Sequence, residues 1–191
     1  MVATAPIDAK DLIIHDAMMK RARWIWRSLQ DFAKQQDDVL PQRYISGETQ
    51  FYLDRRYVLK VLINSETEPS VKLSRSQLKV TLPQSDAQLD TEERAALVKS
   101  LINKWYQNKA KLISRDRLKA LIHKASWVEN SPSFKLMVMK KQWGSFSTKG
   151  NLILNPHLVK ASKECIDYVI LHELCHIAEY NHSERFWRLL T

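Results

Sequence analysis

Ile166-Asp167-Tyr168-Val169-Ile170-Leu171-His172-Glu173-Leu174-Cys175-His176-Ile177-Ala178-Glu179-Tyr180-Asn181-His182 is the stretch on which the reading of this chain turns. Ile166, Val169, Ile170, Leu171, Leu174, Cys175, Ile177 and Ala178 make it apolar nearly all round, the pattern of a buried helix. Inside it lies H-E-x-x-H. On a helix His172 and His176 stand one turn apart on one face. Two imidazoles so spaced can grip one zinc ion, and Glu173 beside them can take a proton from the water such an ion activates. Burying two histidines and a glutamate among aliphatic residues is costly unless they are paired or bound to metal. The competing account is a core helix with two hydrogen-bonded histidines.

His182 adds a third imidazole. On an unbroken helix it would lie about 600° round from His176, well off the ligand face. The chain must therefore turn for His182 to join the other two. Asn181 suits a left-handed turn residue, and Ser183 can cap a new helix through Phe186, Trp187, Leu189 and Leu190. Three protein ligands leave a fourth position open, the catalytic rather than the structural arrangement of zinc. Glu173 is thus the candidate catalytic residue, and His172, His176 and His182 are the candidate metal ligands.

His172-Glu173-Leu174-Cys175-His176, followed by Asn181-His182-Ser183 and Phe186-Trp187, resembles the YgjP-like metallopeptidase family, relatives of the SprT-like zinc proteases. Further elements of that family occur in order: Gly47-Glu48 with Tyr52-Leu53 and Tyr57, then Trp143-Gly144-Ser145, then Leu154-Asn155. The match runs from about Arg23 to the C-terminus. The resemblance implies a zincin-like α+β domain and a zinc ion. It also implies a single domain over residues 1–191 that is shorter than a typical relative at both ends. Trp143, Gly144, Ser145, Tyr180 and Arg185 are the candidate substrate-binding residues, with Arg188 a further neighbour in sequence.

Length and composition agree with one globular core: 191 residues, 45% of them hydrophobic, six of them tryptophan. Three glycines are too few for a Gly-rich phosphate loop. No apolar run is long enough to span a membrane, and no secretory signal opens the chain, so the expected location is the cytoplasm. Cys165 and Cys175 on one helix would be about 15 Å apart, too far for a disulfide. The net charge of +9 points to an anionic partner such as nucleic acid, against the plainer account of a basic solvated surface. His15, His123 and His157 have no ligand spacing and read as surface or partly buried histidines.

Along the chain, residues 2–6 read as the tail of a strand. Residues 8–36 repeat apolar side chains at helical steps. Tyr44 to Leu82 reads as β structure. One hairpin joins Gln50–Leu53 to Tyr57–Ile63 through Asp54-Arg55-Arg56, and a second joins Val71–Leu73 to Gln77–Leu82 through Ser74-Arg75-Ser76. Gly47-Glu48 reads as a turn. Two helices are expected next: one over 91–109, with Asp90 and Glu93 at capping-box spacing, and one over 115–127, capped by Ser114. They carry a basic run from Arg94 to Lys124. Phe134 to Lys140 is an expected strand, Gly144 an expected tight bend, and Asn151 to Asn155 a short strand. The strands flanking Trp143-Gly144-Ser145 are candidates for the edge that an extended peptide joins.

The expected function is a zinc-dependent metallopeptidase acting on a protein or peptide. A metal-dependent phosphohydrolase of the nucleotide pyrophosphatase type is the first alternative. A non-catalytic zinc- or nucleic-acid-binding module is the second.

Overall fold

The computed structural model describes residues 42–64, 68–147 and 150–190. The strand tail expected at 2–6 and the helix expected over 8–36 lie outside them. Strands β1 (Thr49–Tyr52), β2 (Arg55–Asn64), β3 (Ser70–Ser74) and β4 (Gln77–Pro83) form a sheet in the order β1-β2-β4-β3. Both expected hairpins are present, with Tyr52 opposite Arg55 and Ser74 opposite Gln77. The join between them is parallel, with Leu59 beside Leu78 and Ile63 beside Leu82. Leu78, Val80 and Leu82 alternate inward along β4 and, with Leu59, give the sheet its buried face.

The first hairpin turn begins one residue earlier than the expected Asp54-Arg55-Arg56 and is one residue shorter. Leu53 (φ 49°) and Asp54 (φ 63°) are its two central residues, both left-handed, as a turn matching the strand twist requires. Neither is glycine. Their amides donate to the carbonyls of Val159 (2.8 Å) and Lys160 (3.1 Å), which hold the pair in place.

A single helix, α1 (Thr91–Leu121, 31 residues), replaces the two expected. Asp90 caps it: its carboxylate accepts the Glu93 amide at 2.8 Å, and the Glu93 carboxylate accepts the Asp90 amide at 3.3 Å. Residues 109–115 contain neither Gly nor Pro. The buried row Tyr106, Ala110, Ser114, Leu118, Leu121 runs straight through them, so Ser114 packs in mid-helix instead of capping. Roughly 45 Å of helix lets α1 serve two cores. Val98, Ile102, Trp105, Tyr106 and Ala110 cover the first sheet. Leu118 and Leu121 join Leu152, Leu154, Leu158, Ile166, Ile170 and Leu174.

The second sheet holds β5 (Phe134–Leu136), β6 (Gly144–Phe146) and β7 (Leu152–Leu154) in the order β5-β7-β6. β5 is parallel to β7 and β6 antiparallel. The strand expected to reach Lys140 stops early. The Met137 amide still meets the Leu154 carbonyl (3.0 Å), but β7 ends there in Asn155-Pro156 and offers no further partner. Met137 and Val138 are left 51% and 60% exposed. Two helices follow, α2 (Lys163–Ala178), capped by Ser162, and α3 (Glu184–Leu190). Arg117 on α1 grips Asp167 on α2 with two nitrogens on two oxygens, tying the helices together. The architecture is α+β, as expected. Among the described residues, no helix is long and apolar enough to cross a membrane.

Candidate metal centre

α2 brings Ile166, Ile170 and Leu174 into the second core, and that orientation turns His172 and His176 together toward a cleft. The helix ends after Ala178 because Glu179 is extended (φ −145°, ψ 111°). Asn181 is not left-handed, contrary to the sequence expectation. The extended residue has a use: the Glu179 carbonyl faces back, and Nδ1–H of His176 donates to it at 3.1 Å. That bond leaves Nε2 of His176 with its lone pair free, the tautomer a ligand needs. Asn181 accepts the Ser183 amide (2.8 Å), and Ser183 Oγ accepts the Phe186 amide (3.3 Å), starting α3.

The turn carries His182 back over α2. The three imidazole centroids form a near-equilateral triangle with edges of 5.2, 4.9 and 5.0 Å. One ligand atom from each of His172, His176 and His182 lies within 4.8 Å of the other two. Phe186 is the floor of this triangle, fully buried and 4.9, 4.8 and 4.6 Å from the three rings. Sequence reading took Phe186 as an apolar residue of the last helix and as part of the family motif, not as a contact of the three rings. Its spacing of four from His182 was the available signal.

The donor set fits a divalent cation. Nε2 of His182 and Nε2 of His172 face each other at 3.0 Å. Two lone pairs so close repel unless a proton or a cation sits between them. Burial first, then the neighbouring His176 and His182, lower the His172 pKa. That disfavours the doubly protonated ring and leaves the neutral imidazole, the form that binds metal.

Glu173 is 7% exposed, directly beside the histidines. Burial raises its pKa, while His176 and a hydrogen bond from the Phe146 amide pull the other way. The ladder explains that amide. The Trp143 carbonyl accepts from Asn155 (2.9 Å) and the Ser147 amide donates to Asn151 (2.9 Å), so the peptide groups of Gly144 and Phe146 turn to the open edge of the sheet. Gly144 is not the expected tight bend but a strand residue, and its lack of a side chain is what matters. A Cβ there would stand 2.7 Å from Cγ and 2.9 Å from Oε1 of Glu173, and 2.9 Å from Cγ1 of Val169.

Asn155 fixes this edge from behind. It is buried, and its Nδ2 donates to the Met139 (2.8 Å) and Gln142 (3.3 Å) carbonyls, while Oδ1 accepts the His157 amide (3.1 Å). The Leu154-Asn155 step was noted in the sequence, but its clamping of 139–143 was not. The cleft has a volume of about 660 Å³ and is lined by Trp143, Gly144, Ser145 and Tyr180 together with Glu173 and the three histidines. Trp143 and Tyr180 are 55% and 81% exposed on its rim. Arg185 and Arg188 are not in that lining. The Arg185 guanidinium is 3.9 Å from the Glu179 carboxylate. Cys175 faces the core, where burial pushes its thiol up to about 11.

Two histidines on one helix, a third from the following turn and a neighbouring glutamate stand together, a donor set that could hold a divalent metal ion. Residues 1–191 match the model of the YgjP-like metallopeptidase domain, and the chain belongs to that family. Among solved structures it is similar to the metallopeptidase zymogen abylysin of Pyrococcus abyssi, at 24% identity and a TM-score of 0.38, over 40% of this chain and 75% of that one. It is also similar to the metallopeptidase zymogen jannalysin of Methanocaldococcus jannaschii, at 33% identity and a TM-score of 0.34, over 42% and 71%. No curated protein matches the chain.

Proposed function

We propose that this chain is a zinc-dependent peptidase in which His172, His176 and His182 hold the metal and Glu173 is the general base. The observation that carries the reading is the convergence of the three ligand atoms within 4.8 Å of one another, in a cleft that Glu173 also lines. When bound, zinc supplies Lewis acidity, which acidifies water and polarises a carbonyl. Glu173 accepts a proton from a water in the cleft and returns it to the leaving amine as the C–N bond breaks. The Phe146 amide and the bare Cα of Gly144 set where that carboxylate stands. β6 is the edge along which an extended peptide lies, its peptide groups turned outward. Trp143, Ser145 and Tyr180 line the cleft and contact the substrate.

Glu173→Gln tests this. The variant keeps its zinc and loses peptide turnover by about a hundredfold to ten-thousandfold, measured on casein and on quenched fluorescent peptides beside metal analysis. Unchanged cleavage removes Glu173 as the base. If the zinc-loaded wild type leaves peptides intact but hydrolyses nucleoside triphosphates, the peptidase reading falls.

A further inference from the structure

A second cleft, apart from the three histidines, is lined by Lys99, Asn103, Gln107, His157 and Lys160 beside Tyr44, Val138 and Pro156. It has a volume of about 370 Å³ and lies between α1, the short 3-10 helix Pro156–Lys160 and the segment at Tyr44. Lys99, Asn103 and Gln107 recur at intervals of four along α1, so they share one face of that helix. His157 and Lys160 are three apart on the 3-10 helix and superpose along its axis. Together with Tyr44 these residues supply the polar part of the lining, and no carboxylate is among them.

The two ammonium groups are held without a counter-charge. Nζ of Lys160 lies over the Tyr106 ring at 4.9 Å, and Nζ of Lys99 over the Tyr44 ring at 5.7 Å. Among the described residues neither lysine meets a carboxylate. Lys99 is exposed, whereas Lys160 is half-buried, and burial lowers its pKa. Nδ1 of His157 is buried and has no hydrogen-bond partner. A cation withdrawn from water costs free energy unless an anion meets it. Aromatic faces recover only part of that cost. What would satisfy the whole group is an oxyanion with several acceptor oxygens.

We propose that this cleft is a second ligand site, taking a phosphate group on Lys99 and Lys160, with Asn103 and Gln107 as further donors and the His157 ring in its wall. The site is independent of the peptidase reading, because none of its residues lines the metal-centre cleft. The phosphate can arrive as the free ion or as a monoester, and Tyr44 offers a ring against which an ester's organic group can pack.

Titration calorimetry of the full zinc-loaded chain with inorganic phosphate and with phenyl phosphate tests the proposal, the His157 ring signals being followed by NMR. Binding of either probe that moves the His157 signals, and that weakens about tenfold or more in Lys99→Met/Lys160→Met, supports it. Tighter binding of phenyl phosphate identifies a monoester, and equal or tighter binding of phosphate the free ion. Lys160→Arg keeps the charge and retains binding, which separates loss of the site from loss of the fold. The Met stems preserve packing, and circular dichroism of the double variant checks that. Absence of binding at millimolar concentration overturns the proposal. So does binding that the double lysine change leaves intact, since that locates the anion on the histidine-bound metal.

Discussion

At the scale of single residues, the metal-centre cleft depends as much on an absence as on a presence. Glu173 can stand where it does because residue 144 carries no side chain. Gly144→Ala therefore presses on Cγ and Oε1 of Glu173 and on Val169 together. We expect zinc content to stay unchanged and kcat to fall by about a hundredfold, the cost of a carboxylate misplaced by about 1 Å. Crowding in a packed interior would lower stability by about 1–3 kcal/mol. A normal kcat in the folded variant would show that Glu173 tolerates displacement. The relation of His172 to His176 was legible in the sequence from spacing alone, because one helical turn fixes it, whereas that of His182 required a turn in the chain. Gly144 was legible as a special position but not for its reason. Close approach between elements leaves no local signature, whereas a bend does.

At the scale of elements, local patterns predicted what local forces decide. The Asp90–Glu93 cap and both hairpins came from residues a few positions apart. The long helix was misread because Ser114 is a good cap in isolation, and only packing against two cores shows that the apolar row continues through it. The parallel pairing of β2 with β4 had no signal in either strand. The corner after α2 was expected to depend on a left-handed Asn181 and depends on an extended Glu179 instead, because the His176 ring needs that carbonyl. The segment 139–143 is held largely by one side chain. Asn155→Ala leaves the Met139 and Gln142 carbonyls without their donor, and should cost about 2 kcal/mol or more in urea unfolding. The same variant should lower kcat more than it raises KM, because the freed segment carries Trp143 and Gly144 beside Glu173.

At the scale of the described unit, the three candidate ligands come from one helix and the corner that follows it, so binding a cation favours the arrangement that assembles them. Zinc at a hundred times its Kd adds about 2.7 kcal/mol to stability. The thermal midpoint should rise on adding zinc and fall with chelator. His182→Ala should abolish most of that rise while leaving the metal-free midpoint nearly unchanged, since His182 is exposed. An equal zinc response in that variant would remove His182 from the ligand set. α1 spans both cores, so both should melt in one transition.

The turn at Leu53 and Asp54 bears on the order in which these parts assemble. Two left-handed residues other than glycine are poor at starting a hairpin by themselves, since each resists that backbone by roughly 1 kcal/mol. The carbonyls that hold them belong to Val159 and Lys160, about a hundred positions along the chain, and exist in place only once that distant segment has docked. Closure of β1 on β2 therefore comes late on the route to the native state. Asp54→Gly should mainly slow unfolding and Tyr52→Ala should mainly accelerate it, with refolding rates little changed and φ-values near zero for contacts of β1 in stopped-flow chevrons.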